Sequence, residues 1–102
     1  LLRRVKTDKP RKELVFDLRR SQDAGARIQA ARWLARQQDH PETIAALAEA
    51  LTVDPFHGVR SEAAAALEPI RSDGALSALE VGLTDEHPKV RRAAARIGVA
   101  AE

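Results

Sequence analysis

The sequence predicts an all-α fold, a right-handed α-solenoid of about three antiparallel helix pairs. Three observations support this prediction. Alanine, leucine, arginine and glutamate are abundant in the 102 residues, and all four are strong helix formers. Alanine-rich segments recur at spacings of 31 to 33 residues, and leucine-rich segments recur between them. A period of this length is typical of stacked helical repeats.

The leucine-rich segments come first along the chain, and we call them B helices. They read RKELVFDLRR (11–20), TIAALAEAL (43–51) and ALSALEVGL (75–83). In the second segment, apolar residues fall at the i, i+3, i+4, i+7 positions of an amphipathic helix. The third segment repeats this pattern with Leu76, Leu79 and Leu83. We therefore expect each B helix to bury one leucine stripe.

The alanine-rich segments alternate with the B helices, and we call them A helices. They read GARIQAARWLA (25–35), GVRSEAAAALE (58–68) and KVRRAAARIGV (89–99). Small side chains allow neighbouring helices to approach closely. The predicted order is B, A-B, A-B, A, so the chain is expected to begin and end inside an array.

Prolines and aspartates mark the expected helix starts. Proline is favoured at the first helical position, where no N–H group is needed, and Pro10, Pro41, Pro55 and Pro88 lie at such places. Asp54 precedes Pro55 and Asp73 precedes Gly74, so both aspartates are expected N-caps.

The charge distribution divides the chain. Residues 1–20 hold eight Lys and Arg against three Asp and Glu, whereas residues 21–102 hold nine against twelve. We interpret residues 1–9 as a basic tail or linker and residues 10–102 as the repeat domain, a fragment of a longer protein. The basic end could bind phosphate, but we expect a solvated tail. The acidic body argues against a nucleic-acid surface along the domain.

Composition also restricts location and chemistry. The apolar runs are far shorter than the ~20 residues of a membrane-spanning helix. The absence of cysteine is compatible with a reducing compartment, and we expect a cytoplasmic protein. His40, His57 and His87 lack metal-ligand spacing. Trp33 is expected to pack in the core or to be semi-buried. No catalytic motif is present, so we expect no enzymatic activity and no cofactor in this chain.

One set of charged residues recurs with the period. Asp54 and Asp85 each lie six residues before Arg60 and Arg91, and Arg27 aligns with both arginines. Arginine forms forked hydrogen bonds to carboxylates and turn carbonyls. We expect a structural ladder between repeats. The alternative is that the same arginines bind a ligand.

Two apolar residues fall off the leucine stripes. Phe16 and Val81 align with Glu49, on the side of the B helices away from Leu47. An outward Phe and Val could form a partner surface with this Glu. Alternatively, the first ten residues fold over Phe16, and Val81 is an isolated exposed residue.

These segments resemble known families. VRSEAAAAL and KVRRAAA resemble short alanine-rich HEAT-type repeats of the phycobilisome-lyase kind. The order of ELVFDL, GARIQAARWLA, DPFHGVRSEAAAAL and DEHPKVRRAAA resembles the C-terminal helical region of bacterial aminopeptidase-N-like zinc metallopeptidases. Asp54 to Arg60 match a typical stretch of that region, except that His57 replaces an aromatic residue.

The resemblance implies a lid or wall that packs on an upstream catalytic domain. Zinc and the catalytic glutamate would belong to that domain, and no catalytic residue transfers to this chain. Two alternative functions remain open: a free-standing protein-interaction module and a DNA-binding protein of the alkylated-base glycosylase type. The DNA-binding function would require a continuous basic groove. The open solenoid ends could also allow dimerisation.

Overall fold

The computed structural model describes residues 9–37 and 40–101, with side chains described as far as residue 96. That part of the chain contains six helices and no strand. Their bounds are α1 (Arg11–Arg20), α2 (Ala24–Leu34), α3 (Pro41–Val53), α4 (His57–Leu67), α5 (Asp73–Gly82) and α6 (Pro88–Ala101). None of these helices is long and apolar enough to cross a lipid bilayer.

The helices stack as three pairs in two layers. The B helices α1, α3 and α5 lie side by side in one layer, and the A helices α2, α4 and α6 form the other. Each A helix packs on the B helix that precedes it. The predicted α-solenoid of about three helix pairs, with B and A helices in alternation, is therefore confirmed. The contacts join each A helix to the B helix before it, so the pairs are B-A and not A-B as the predicted order had grouped them.

The core lies between the two layers. Seven leucines from five of the helices are almost completely buried: Leu14, Leu18, Leu34, Leu47, Leu51, Leu67 and Leu79. Alanines line the contacts between neighbouring A helices, and Ala31 and Ala64 are fully buried there. Since no pair buries its apolar stripe alone, stacking supplies the stability.

Leu83 is an exception to the predicted stripe of the third B helix. Leu79 is fully buried as expected, but Leu83 is 40% exposed. It is the C-cap residue of α5, a helix that packs on α3, α4 and α6. Among the described residues, no further B helix lies beside α5.

The helix starts differ in part from the sequence prediction. Pro41 and Pro88 begin α3 and α6 as expected. Pro55, however, lies two residues before α4, whose N-cap is Phe56. Asp54 is therefore not an N-cap. The N-cap of α5 is Ser72, whose hydroxyl accepts from the Ala75 N–H.

The histidines lie at turns and helix starts. His40 Nδ1 accepts the Glu42 N–H at 3.1 Å before α3, and His87 Nδ1 accepts the Lys89 N–H at 3.0 Å before α6. His57 is the first residue of α4. Two of the three histidines thus cap a helix whose first residue is proline.

Candidate interaction surfaces

Arg27 connects the first helix pair to the second. Its Nε donates to Asp54 Oδ2 at 2.9 Å and its Nη2 to Asp54 Oδ1 at 3.2 Å. Its Nη1 donates to the Ser21 carbonyl at 2.8 Å. The arginine in α2 therefore binds the turn of its own pair and the turn of the next pair.

Arg60 repeats this arrangement one pair further along. Nε and Nη2 donate to the Asp85 carboxylate at 2.9 and 3.1 Å, and Nη1 donates to the Asp54 carbonyl at 2.8 Å. The Arg60 and Asp85 side chains are only 9% and 13% exposed. Both contacts are bidentate, the geometry that makes arginine–carboxylate pairs strong.

The aspartates also order the turn that contains them. Asp54 Oδ1 accepts the Phe56 N–H at 3.0 Å, and Asp85 Oδ1 accepts the His87 N–H at 2.9 Å. Burial alone would raise the pKa of the Asp85 carboxyl. The Arg60 hydrogen bonds, the His87 N–H and the Arg60 charge outweigh burial, so this pKa is lowered.

Arg91 occupies the same position in the third pair. Its Nη1 donates to the Asp85 carbonyl at 2.8 Å, as the equivalent atoms of Arg27 and Arg60 do to their own turns. Within residues 9–37 and 40–96, no carboxylate meets its other nitrogens. The structure thus brings the five predicted ladder residues onto one edge of the array, which we call the turn edge. Nε and Nη2 of Arg27 and Arg60 are occupied by carboxylates. Among the described ladder arginines, only Arg91 therefore has these two nitrogens open to the ligand-binding alternative.

The B-helix layer has one large exposed apolar residue on each of its three helices. Phe16, Val53 and Val81 are 62%, 67% and 55% exposed, on α1, α3 and α5 respectively. Glu49 lies among them and accepts from Arg19 Nε at 2.7 Å. The structure therefore places the three predicted interface residues, Phe16, Glu49 and Val81, on one surface, which we call the B face.

Val53 also belongs to the B face, although the sequence pattern did not indicate it. Val53 lies six residues after Leu47, on the outer side of α3. Its position off the leucine stripe was a usable signal. A groove of about 190 Å³ between α1 and α3 is lined in part by Leu18, Arg19, Glu49 and Val53. The B face thus has a groove beside Val53 that is lined in part by the charged residues Arg19 and Glu49.

The alternative interpretation of Phe16 concerns the first ten residues. Residues 1–8 lie outside the described part, and so do the basic residues Arg3, Arg4 and Lys6. Two of the described basic residues lie near carboxylates: Lys9 Nζ bonds Asp17 Oδ2 at 2.9 Å, and Arg11 Nε lies 3.7 Å from Glu42 Oε1. The hydrogen bond and charge of Asp17 raise the Lys9 pKa.

A histidine pair lies between the second and third helix pairs. The rings of His57 and His87 stack with centroids 3.7 Å apart and planes 3° from parallel. Partial burial lowers the His87 pKa, and the charges of His57 and Arg60 act in the same direction. In the part of the chain that is described, no three His, Cys, Asp or Glu side chains converge as metal ligands.

Trp33 packs partly within the array. It is half-buried against the core, and the Arg36 guanidinium lies 5.0 Å from its ring centroid. This agrees with the predicted semi-buried position. A cation over an indole face is a stabilising contact at the surface.

Comparison with protein families adds one finding to this geometry. The family model of HEAT repeats matches residues 12–100, which include all six helices but for the first and last residues. No curated protein and no solved structure matches the chain.

Proposed function

Because the chain belongs to the HEAT-repeat family, we propose that it is a non-catalytic scaffold domain that binds another protein surface through its B face. HEAT repeats commonly mediate protein interactions. One observation carries the proposal: each of the three B helices leaves a large apolar side chain exposed. Exposed apolar residues that recur along one layer favour an interaction surface.

The B face has the chemistry of a small interface. Burying a Phe or Val side chain stabilises a complex by about 1.5 to 3 kcal/mol. Since Phe16, Val53 and Val81 are already partly covered, we take about 1 to 2 kcal/mol for each. The Arg19–Glu49 pair at the border adds orientation more than affinity.

The more specific proposal is that the partner is a catalytic domain of the aminopeptidase-N-like zinc metallopeptidase kind. The chain would be the C-terminal module of such a protein and would pack on that domain. The zinc site would belong to the upstream domain, and this chain would hold no cofactor. The support is the resemblance of the stretch from Asp54 to Arg60.

Several residues of that stretch have a packing role here. Asp54 accepts from Arg27 and from the Phe56 N–H. A Cβ atom at Gly58 would lie 2.5 Å from the Phe56 ring, so glycine leaves room for that ring on the first turn of α4. These contacts order the turn before α4, as expected of a module that packs as a rigid wall against a catalytic domain.

The first test is the reading frame on either side of the 102 codons. An upstream H-E-x-x-H motif with a downstream Glu would support the peptidase module. That catalytic domain would then be titrated with this chain, by calorimetry. Start and stop codons around the chain would instead favour the free-standing interaction module.

The second test separates the B face from the rest of the surface. We expect Phe16→Ser and Val81→Ser each to weaken binding about tenfold, which corresponds to about 1.4 kcal/mol. The melting temperature should stay unchanged. Ala65→Ser is the matched control, since Ala65 is exposed on the opposite layer. If Phe16→Ser and Val81→Ser both bind as tightly as Ala65→Ser and the wild type, the B face is not the binding surface.

A further inference from the structure

The charges of the B-helix layer are divided between its two ends. The helices lie side by side in the order α1, α3, α5. The first has four Lys and Arg against two Asp and Glu, whereas α3 and α5 each have two Asp and Glu and no Lys or Arg. The B face is therefore basic at the α1 end and acidic at the α5 end.

The basic end surrounds the exposed Phe16. A hollow of about 220 Å³ on the surface of α1 is lined by Lys12, Val15, Phe16, Arg19 and Arg20. Because Arg19 is paired with a glutamate of α3, most of the positive charge of this end comes from Lys12 and Arg20. Both side chains are exposed.

The two acidic residues of α1 lie on a different side of the helix. Glu13 and Asp17 both act on the Lys9 ammonium, and Asp17 bonds it at 2.9 Å. Lys9 and Asp17 line a groove beside α2, together with Gln29. The carboxylates therefore leave the positive charge around Phe16 in place.

The acidic end surrounds the exposed Val81 in the same way. At 100° per residue, four positions of α5 fall within about 100° of one another, on the side opposite its buried stripe. They are Asp73, Ser77, Glu80 and Val81, and all four are exposed. Val81 thus lies among two carboxylates, whereas Phe16 lies among cationic side chains.

We propose that the B face binds the B face of a second copy of this chain, related by a two-fold axis parallel to the helices. This axis places α1 of one copy on α5 of the other, twice by symmetry, and α3 on α3. The basic end of each copy then meets the acidic end of the other. We rest this inference on the proposed function, since both use the B face.

The same axis brings the exposed apolar side chains together. It keeps every residue at its own height along the helices, and Phe16 and Val81 both align with Glu49 in the repeat. Phe16 of one copy therefore meets Val81 of the other. Near the axis, Glu49 is held by Arg19 of its own copy at 2.7 Å, so the two Glu49 side chains do not meet as bare charges.

Charge selects this axis over the other two-fold arrangement. An axis perpendicular to the helices places α1 on α1 and α5 on α5, so that like charges oppose each other at both ends, which is unfavourable. A standard interface buries about 800 Å² of each partner, and a layer of three helices in a body of 41 × 28 × 25 Å is large enough. With three large apolar side chains per copy, we expect a weak dimer, with a Kd of about 10 to 100 μM.

Sedimentation equilibrium of the 102-residue chain from about 5 to 500 μM measures this dimer. The variants reverse the charge of one end or of both: Lys12→Glu/Arg20→Glu, Asp73→Lys/Glu80→Lys, and all four changes combined. The matched control is Arg92→Glu/Arg96→Glu, which changes the net charge as much as the first variant but on exposed residues of the A helix α6. Thermal melting verifies that each variant is folded.

We expect reversal of either end to weaken the dimer at least about tenfold, because like charges then meet at both symmetric contacts. The combined variant should dimerise like the wild type, since its α1 is acidic and its α5 is basic. Phe16→Ser should weaken the dimer about hundredfold, because each of two equal contacts loses about tenfold. The control should dimerise like the wild type, and about 0.5 M salt should weaken the wild-type dimer.

Three results would overturn the dimer. If the combined variant stays dissociated while each reversal weakens the dimer, α1 does not face α5. If Phe16→Ser dimerises as tightly as the wild type, the copies meet through another surface. A chain that is monomeric at every concentration has no such dimer.

Failure of the dimer is distinguishable from failure of the proposed function. A monomeric chain leaves the B face open to a different protein, and titration of a catalytic domain with Phe16→Ser and Val81→Ser decides that role separately. If the dimer and that domain both bind the B face, they compete, and adding the domain should dissociate the dimer.

Discussion

Replacing Arg60 with glutamine removes the guanidinium that connects the second helix pair to the third. Three hydrogen bonds are lost, two to the Asp85 carboxylate and one to the Asp54 carbonyl. The Asp85 side chain is 13% exposed, so water replaces the lost donors poorly. The variant therefore leaves a carboxylate without its counter-charge.

The magnitude follows from the burial of the pair. Removing one partner of a buried ion pair destabilises a protein by about 3 to 5 kcal/mol. The glutamine amide can recover one bond to the Asp54 carbonyl, which returns about 1 kcal/mol. We therefore expect a loss of about 3 kcal/mol in the free energy of unfolding, or about 12 to 24 °C in melting temperature for a domain of this size.

Urea and thermal denaturation followed by circular dichroism measure this loss. Arg32→Gln is the matched control: its guanidinium is 3.1 Å from Glu62 but its side chain is 59% exposed, so we expect less than about 1 kcal/mol. The double variant Arg60→Gln/Asp85→Asn should regain part of the loss, because no charge is stranded. Equal losses for Arg60→Gln and Arg32→Gln would refute the argument.

The same pair sets a pH dependence. The folded-state pKa of Asp85 is lowered, so its contribution is fully present above the unfolded carboxyl pKa of about 3.9. It is lost as the pH falls through the lower folded value. The stability difference between the wild type and Arg60→Gln should therefore narrow in acid. A difference that stays constant down to the acid transition would contradict this cause.

Three further changes test the core, a close helix contact and a cap. Leu47→Asp buries an unpaired charge at a fully buried position, and we expect loss of helicity and of the cooperative melt. A Cβ at Gly82 would lie 2.9 Å from Ala94 Cβ, so Gly82→Ala should cost about 1 to 3 kcal/mol by urea denaturation. At Gly74 the nearest atom to an added Cβ would be Ile44 Cγ2 at 3.7 Å, an ordinary van der Waals contact, so Gly74→Ala should be neutral or stabilising by up to about 1 kcal/mol. The pKa of His87 is lowered by burial first, so stability rises as the pH increases from that value to about 6.5. His87→Asn keeps a cap acceptor and should flatten this rise in melts from pH 5 to 7, and an unchanged slope would show that His87 is not its source.

The periodic part of the fold could be predicted from the sequence. The leucine stripes and the alanine-rich segments repeat with a shift of 31 to 33 residues, and helical periodicity within each segment identifies its buried face. All six helices and their order follow from this pattern. Pairing of Arg60 with a neighbouring Asp was also a sequence-based expectation, because an Asp six residues before an Arg recurs with the repeat.

The turns were predicted less well because local hydrogen bonds compete there. Asp54 was expected to cap α4, but its carboxylate is held by Arg27 from another pair and by the Phe56 N–H. The first residue of α4 is His57, two residues after the expected start at Pro55. Asp73 was the predicted N-cap of α5, but the N-cap is Ser72, whose hydroxyl accepts the Ala75 N–H. Spacing alone does not distinguish these neighbouring residues.

Burial at the edges of the array was also beyond the pattern. Leu51 and Leu83 are equivalent in sequence, but α5 covers one and no described helix covers the other. Val53 was not identified because, unlike Phe16 and Val81, it does not align with Glu49. A repeat pattern indicates which side of a helix is apolar, whereas the number of stacked neighbours decides whether that side is covered.

The position of the ladder makes the two edges of the array unequal in stiffness. The buried Arg27–Asp54 and Arg60–Asp85 pairs hold successive turns together along the turn edge. The opposite edge has a half-exposed Arg11–Glu42 contact at 3.7 Å, a longer and more solvated pair that contributes less than the buried ones. We therefore expect bending to open the opposite edge first, with the turn edge as the axis of rotation. A partner that fits a more curved or a flatter array can be accommodated without breaking a buried ion pair.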